Sequence, residues 1–220
     1  MKVKKVLLYG DSNTYGYVPE PWQARLGVRY PEEDRYPGVL RQRLGPGFEI
    51  IEQGLPGRNS CRDDFPSPGV NWNGRATLPE VLGTALPVDL LVIMLGTNDL
   101  KHFADLPDLS AKESAQGVGE LVELARTCAG DALGRILLLA PPPFVEGEDE
   151  GVNALYAHAY AQAQQLPAEL ERVAEKHGCA FFDLSKVVSC ADGPDGLHLS
   201  AAAHQLIGVA LGKYIRSLNL

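Results

Sequence analysis

Short apolar runs closed by turn residues alternate along the chain with stretches of helical period. Lys5–Tyr9, Glu49–Gln53, Leu90–Met94, Arg135–Ala140 and Ala180–Asp183 read as strands. They are rich in Val, Ile, Leu and Phe and do not alternate cleanly, the pattern of strands covered on both faces. Between them, Ala115, Val118, Leu121, Val122, Ala125 and Cys128 form one stripe of period 3.6, and Leu166, Leu170, Val173 and Ala174 form another that Gly178 closes. A last helix opens at Ser200 and carries Ile207, Leu211, Tyr214, Ile215 and Leu218 on one side. Strands alternating with helices predict a three-layer α/β/α sandwich around a five-stranded parallel sheet of order 2-1-3-4-5. With no internal repeat and no linker, all 220 residues read as a single domain. Two segments are irregular, Val18–Arg35 and Ser60–Gly74, and long loops in a compact domain tend to carry function.

Ligands of such sheets bind at the carboxyl ends of the strands, so the chemistry is sought there. The first strand runs into Gly10-Asp11-Ser12-Asn13, where Gly10 permits a sharp turn and leaves room for a substrate. The spelling excludes a phosphate loop, a GxGxxG dinucleotide turn and the GxSxG elbow, in which Thr14 would have to be glycine. Ser12 is thus either a nucleophile or, with Asp11, part of a helix cap. After the second strand comes Gly54-Leu55-Pro56-Gly57-Arg58-Asn59, a tight turn whose Gly57 amide could donate to a substrate oxygen. Arg58 reads as a surface charge or one standing behind the site. The third strand ends in Leu95-Gly96-Thr97-Asn98-Asp99. Asn98 supplies an uncharged amide donor suited to an oxyanion, while Asp99 is explained by the turn and a helix cap.

Of the five histidines, His158 and His177 lie in helical stretches, His102 in a polar loop, and His204 one turn before Ile207, as a packed residue. His198 alone sits in a Gly-rich loop before a helix cap, with Asp195 three residues earlier. The carboxylate can accept from Nδ1–H and leave Nε2 free as a base. Asp192 is the rival acid, although Pro194 favours it as a turn former.

Composition narrows the partners. With 20 Lys+Arg against 28 Asp+Glu the net charge is −8, and no basic cluster exceeds Lys4-Lys5, which argues against nucleic acid. No run approaches the ~18 apolar residues of a membrane helix, and Val6–Tyr9 is too short for a signal-peptide core. The four cysteines form no CxxC pair. Cys128 and Cys179 read as small buried hydrophobes, and the protein reads as cytoplasmic with free thiols.

Gly10-Asp11-Ser12, Gly57, Gly96-Thr97-Asn98-Asp99 and Asp195-Gly196-Leu197-His198, taken in order, resemble the motif blocks of the SGNH hydrolases, the GDSL esterase/lipase family. YGDSNTYGY, IMLGTNDLK, APPPF and DGLHLS are similar to its arylesterase/acyltransferase branch. One departure stands out: Asn13 occupies the position of the leucine in GDSL, which bears on local packing or substrate preference. The resemblance implies a serine esterase acting on small-molecule esters, with Ser12, Asp195 and His198 as catalytic residues and Ser12, Gly57 and Asn98 as the oxyanion hole. It implies no metal or organic cofactor and a possible homo-oligomer. Acyl transfer to an alcohol and carbohydrate acetyl ester hydrolysis are its alternatives. Trp22 in the first irregular segment and Phe144 after the fourth strand are expected to wall an acyl pocket; for the aromatics of these segments a subunit interface is the other reading.

Overall fold

The computed structural model describes residues 3–19, 28–65 and 69–220. Its elements are β1 (Lys4–Gly10), α1 (Ser12–Tyr15), α2 (Tyr36–Leu44), β2 (Phe48–Gly54), α3 (Gly74–Ala85), β3 (Val88–Met94), α4 (Ala111–Ala129), β4 (Leu133–Ala140), α5 (Glu150–Tyr156), α6 (Tyr160–His177), β5 (Ala180–Asp183) and α7 (Ala201–Ser217). All five strands pair in parallel, in the order β2-β1-β3-β4-β5.

The period of two along each strand divides the core between the two faces. Leu7, Tyr9, Leu91, Ile93, Ile136 and Leu138 point into one layer, packed under α3, α4 and α6. Val6, Leu8, Leu90, Val92, Leu137 and Leu139 point into the other, under α2 and α7. Because both sets are apolar, no polar–apolar alternation survives in the sequence. Each fully buried Leu or Ile contributes roughly 1.5–3 kcal/mol relative to exposure, so the paired stripes on α4 (Val118, Leu121, Val122) and α7 (Ile207, Leu211, Ile215) hold the layers to the sheet.

β3 and β4 begin two residues before the expected positions, because Asp89 and Gly134 interrupt the apolar runs without ending the pairing. Asp89 is kept in the strand by accepting the Lys5 backbone N–H at 2.8 Å. Sequence periodicity also passed over α3, whose Gly, Thr and Pro79 dilute the stripe; Leu78 and Leu82 still bury completely, and Asn73 caps the helix on the Arg75 N–H. The expected burial of Cys128 is corrected: the α4 stripe ends on Ala129, leaving Cys128 exposed at its margin. Cys179 is half-buried beside β5. Among the described residues no helix is long and apolar enough to cross a membrane.

From β1 the chain crosses outward to β2, whereas β3 lies on the other side of β1. That reversal opens a crevice at the carboxyl ends of β1 and β3, where loops can converge without covering each other.

Candidate active site

Ser12 is the first residue of α1, directly beyond β1. Asp11 caps the helix by accepting the Asn13 N–H at 3.0 Å. Gly10 is needed for close approach: a Cβ there would stand 2.0 Å from Thr14 Oγ1. Capping and nucleophile are therefore compatible readings, since Asp11 does the first and leaves the Ser12 hydroxyl free to turn elsewhere.

That hydroxyl meets the loop between β5 and α7. His198 Nε2 lies 2.9 Å from Ser12 Oγ, and His198 Nδ1 lies 2.5 Å from Asp195 Oδ2. The other Asp195 oxygen accepts the backbone N–H groups of Leu197 at 3.0 Å and His198 at 2.9 Å. Burial pushes the Asp195 carboxyl up, but the His198 hydrogen bond and charge and these two amides outweigh it, so the group stays below the usual carboxylate range. An ionised Asp195 accepts the Nδ1 proton and leaves Nε2 basic toward Ser12. Asp192 points away and binds the Ser200 N–H at 2.8 Å and hydroxyl at 2.6 Å, anchoring the start of α7.

The His198 loop is held from two sides. Segments after β4 brace it, with Val145 N–H donating to Gly196 O at 2.9 Å and Glu148 N–H to Pro194 O at 2.7 Å. From the Ser12 side, Asn13 spans His198: its Oδ1 accepts the Leu199 N–H at 3.0 Å, and its Nδ2 donates to Leu197 O at 3.3 Å. A leucine could make neither bond. The Tyr17 ring lies 4.5 Å from the imidazole, tilted by 34°. Sequence reasoning missed Tyr17, because nothing in the spelling shows that the chain folds back over His198 after α1.

Gly57 and Asn98 lie on the turns that follow β2 and β3, the two strands on either side of β1. Gly57 has φ +84°, and a Cβ on it would stand 2.5 Å from the Trp72 ring, so both backbone and space demand glycine. The ring packed there, Trp72, is one that the sequence did not single out. Asn98 Nδ2 donates to Arg58 O at 3.1 Å, and its Oδ1 accepts from Tyr156 Oη at 2.9 Å.

Arg58 is only 4% exposed, which removes the surface alternative. It stands behind the site, with Nη1 donating to Gly10 O at 2.7 Å and to Gln53 O, and with the guanidinium 4.1 Å from the Tyr9 ring centroid. The arginine thus ties the ends of β1 and β2 together beneath the serine. Asp99 is likewise more than a turn residue. Fully buried, it accepts the Ser60 N–H at 3.0 Å and the Ser60 hydroxyl at 2.5 Å, binding the Gly57 turn's continuation to the Asn98 turn. Burial raises both Asp99 and Asp11 to about 6.

Trp22 lies outside the described residues. Phe144 is placed in the core, 3% exposed and edge-on to Tyr156 at 5.0 Å. His204 is fully buried, as expected of a packed residue. Among the described residues no group of three or more His, Cys, Asp or Glu side chains is placed to hold a metal ion.

The Ser12 hydroxyl, the His198 imidazole and the Asp195 carboxylate stand in line at the switch point of a doubly wound sheet, the kind of arrangement on which serine hydrolases are built. Residues 8–206 match the model of the GDSL-like lipase/acylhydrolase family, and the chain belongs to that family, the SGNH hydrolases. It is a carboxylic ester hydrolase by class. Among solved structures it is similar to Est24, a carbohydrate acetylesterase from Sinorhizobium meliloti (34% identity, 98% of this chain and 99% of that one, TM-score 0.89). It is also similar to the M. smegmatis aryl esterase (35% identity, 98% and 100% of the two chains, TM-score 0.89). The lipase/acylhydrolase from Enterococcus faecalis, at 21% identity and TM-score 0.67 over 98% of this chain and 97% of that one, shares the fold. No curated protein matches the sequence.

Proposed function

We propose that the protein hydrolyses small carboxylic esters through an acyl-enzyme on Ser12. The observation that carries this reading is His198, which reaches Ser12 Oγ with one ring nitrogen and Asp195 with the other. Ser12 Oγ attacks the ester carbonyl as His198 Nε2 takes its proton. Asp195 keeps the imidazole in the required tautomer and stabilises the imidazolium. The oxyanion receives the Ser12 and Gly57 amides and the second proton of Asn98 Nδ2. The Ser12 amide is suited to this because the first N–H groups of a helix have no intrahelical partner. His198 then protonates the departing alcohol and activates a water that releases the acid.

The substrate class is a short-acyl ester of an aryl or sugar alcohol, supported by the likeness to an aryl esterase and to a carbohydrate acetylesterase. Tyr17 lies against His198 and Trp72 against Gly57, so two aromatic rings stand next to the proposed reacting groups. A fluorophosphonate should label Ser12 stoichiometrically, and Ser12→Ala should lose hydrolysis of p-nitrophenyl acetate while melting like the wild type. A variant that keeps more than a small percentage of the rate sinks the assignment. A panel of p-nitrophenyl esters of rising acyl length reads the acyl preference, and p-nitrophenyl acetate run beside acetylated sugars ranks the two alcohols. Product analysis with added alcohol separates transfer from hydrolysis, and size exclusion against 23.8 kDa reads the oligomeric state.

A further inference from the structure

An asparagine is an oxyanion donor only while its nitrogen, not its oxygen, faces the reacting carbonyl. The two orientations have almost the same shape, so neighbours must choose between them. Two groups surround the Asn98 amide. The Arg58 carbonyl can only accept, and it holds Nδ2 at 3.1 Å. The Tyr156 hydroxyl donates to Oδ1 at 2.9 Å. A turned amide would set its oxygen against the Arg58 carbonyl. In the observed orientation one Nδ2 proton is used by Arg58 and the second is left for a ligand.

Tyr156 is unusual for the end of a short exposed helix. It is 3% exposed and its ring is wedged edge-on against Phe144 at 5.0 Å and 65°. Burial, together with the Asp11 and Asp99 charges, pushes its phenol well above the ordinary value, so the hydroxyl keeps its proton. Among the described residues its hydroxyl bonds Asn98.

We propose that Tyr156 is a positioning residue for catalysis: the Arg58 carbonyl selects the orientation of the Asn98 amide, and Tyr156, by donating to Oδ1, holds the amide there and draws electron density toward that oxygen, which makes the free Nδ2–H a stronger donor to the oxyanion. Hydrogen bonds in series strengthen one another in this sense. The inference rests on Asn98 serving the oxyanion hole, as proposed above.

The test is a double-mutant cycle on p-nitrophenyl acetate with Tyr156→Phe, Asn98→Ala and the double variant, reading kcat and KM separately. Asn98→Ala should lower kcat by about 10²–10³-fold. Tyr156→Phe should lower kcat several-fold to about tenfold and leave KM within roughly twofold, since the donor matters only as charge develops. In the double variant the phenylalanine should add nothing to the loss from Asn98→Ala. An unchanged kcat in Tyr156→Phe, or the same fold-loss with and without Asn98, overturns the positioning role while leaving the oxyanion reading intact. A silent Asn98→Ala overturns both. Tyr156→Phe removes one oxygen from a packed ring, and thermal melting of each variant in the cycle verifies that folded protein is compared.

Discussion

Replacing Asn13 with leucine would restore the spelling that names the family, and here it should be damaging. Asn13 Oδ1 and Nδ2 bind the Leu199 N–H and the Leu197 carbonyl, the backbone groups on either side of His198. Asn13 is 5% exposed and Leu199 is fully buried, so water has little access to the groups released. Each buried backbone group left without a partner costs about 1–3 kcal/mol, or about 2–6 kcal/mol for the pair. The added apolar side chain returns about 2 kcal/mol. The net is a loss of roughly 0–4 kcal/mol, centred near 2 kcal/mol, which for a chain of this size lowers the melting point by roughly 4–8 °C. The loop that relaxes is the one carrying His198. Because a misplacement of about 1 Å can cost around 10²-fold in rate, kcat/KM for p-nitrophenyl acetate should fall at least about tenfold. Calorimetry and initial rates on Asn13→Leu check both numbers. A variant as stable and as fast as the wild type would refute the reasoning and show that the two backbone groups find other partners at no cost.

Asp195→Asn should reduce kcat by about 10³–10⁴-fold, because the amide no longer enforces the tautomer; Asp192→Asn should cost about 1 kcal/mol at the start of α7 and little activity, and the reverse ranking in steady-state assays would mean that Asp192 is the acid. Gly57→Ala should lower both stability and kcat, since φ +84° and a Cβ 2.5 Å from Trp72 are each unfavourable; Trp72→Ala in the same chain should recover part of the stability, and no recovery in urea titrations would rule out the clash as the cause. His204 is held near 4, chiefly by burial. A histidine whose folded value lies below its unfolded one contributes stability that is full above about 6.5 and lost as pH falls through about 4, here about 3 kcal/mol. The urea midpoint of the wild type should therefore fall toward that of His204→Leu between pH 7.5 and 4, and a constant gap would contradict the shift.

Much of the fold was legible before any coordinates, because parallel strands buried on both faces leave uninterrupted apolar runs, and α4, α6 and α7 keep clean stripes. α3 was not, since its Gly, Thr and Pro79 carry no period and it is helical because Leu78 and Leu82 bury against the sheet. The expected triad residues and oxyanion donors were legible as spellings at strand ends. Their supports were not. Arg58 read equally as a surface charge or one standing behind the site, because nothing in Pro-Gly-Arg states that the side chain returns under β1. Asp99 looked like a turn residue because Ser60 is 39 positions away in sequence and its contact exists only when β1 and β3 are neighbours.

By itself the sequence determined the alternation of strands and helices, the identity of the polar residues at each strand end and the net charge of −8, none of which depends on how the chain folds. Only the tertiary structure decided which of those residues meet. The order β2-β1-β3 brings Ser12 and Asn98 to one crevice, and the His198 loop, 186 positions from Ser12, closes on it through Asn13 and the segments after β4. Orientation belongs to the same level. Whether Asn98 offers a nitrogen or an oxygen depends on the Arg58 carbonyl, whose distance and direction no one-dimensional pattern encodes.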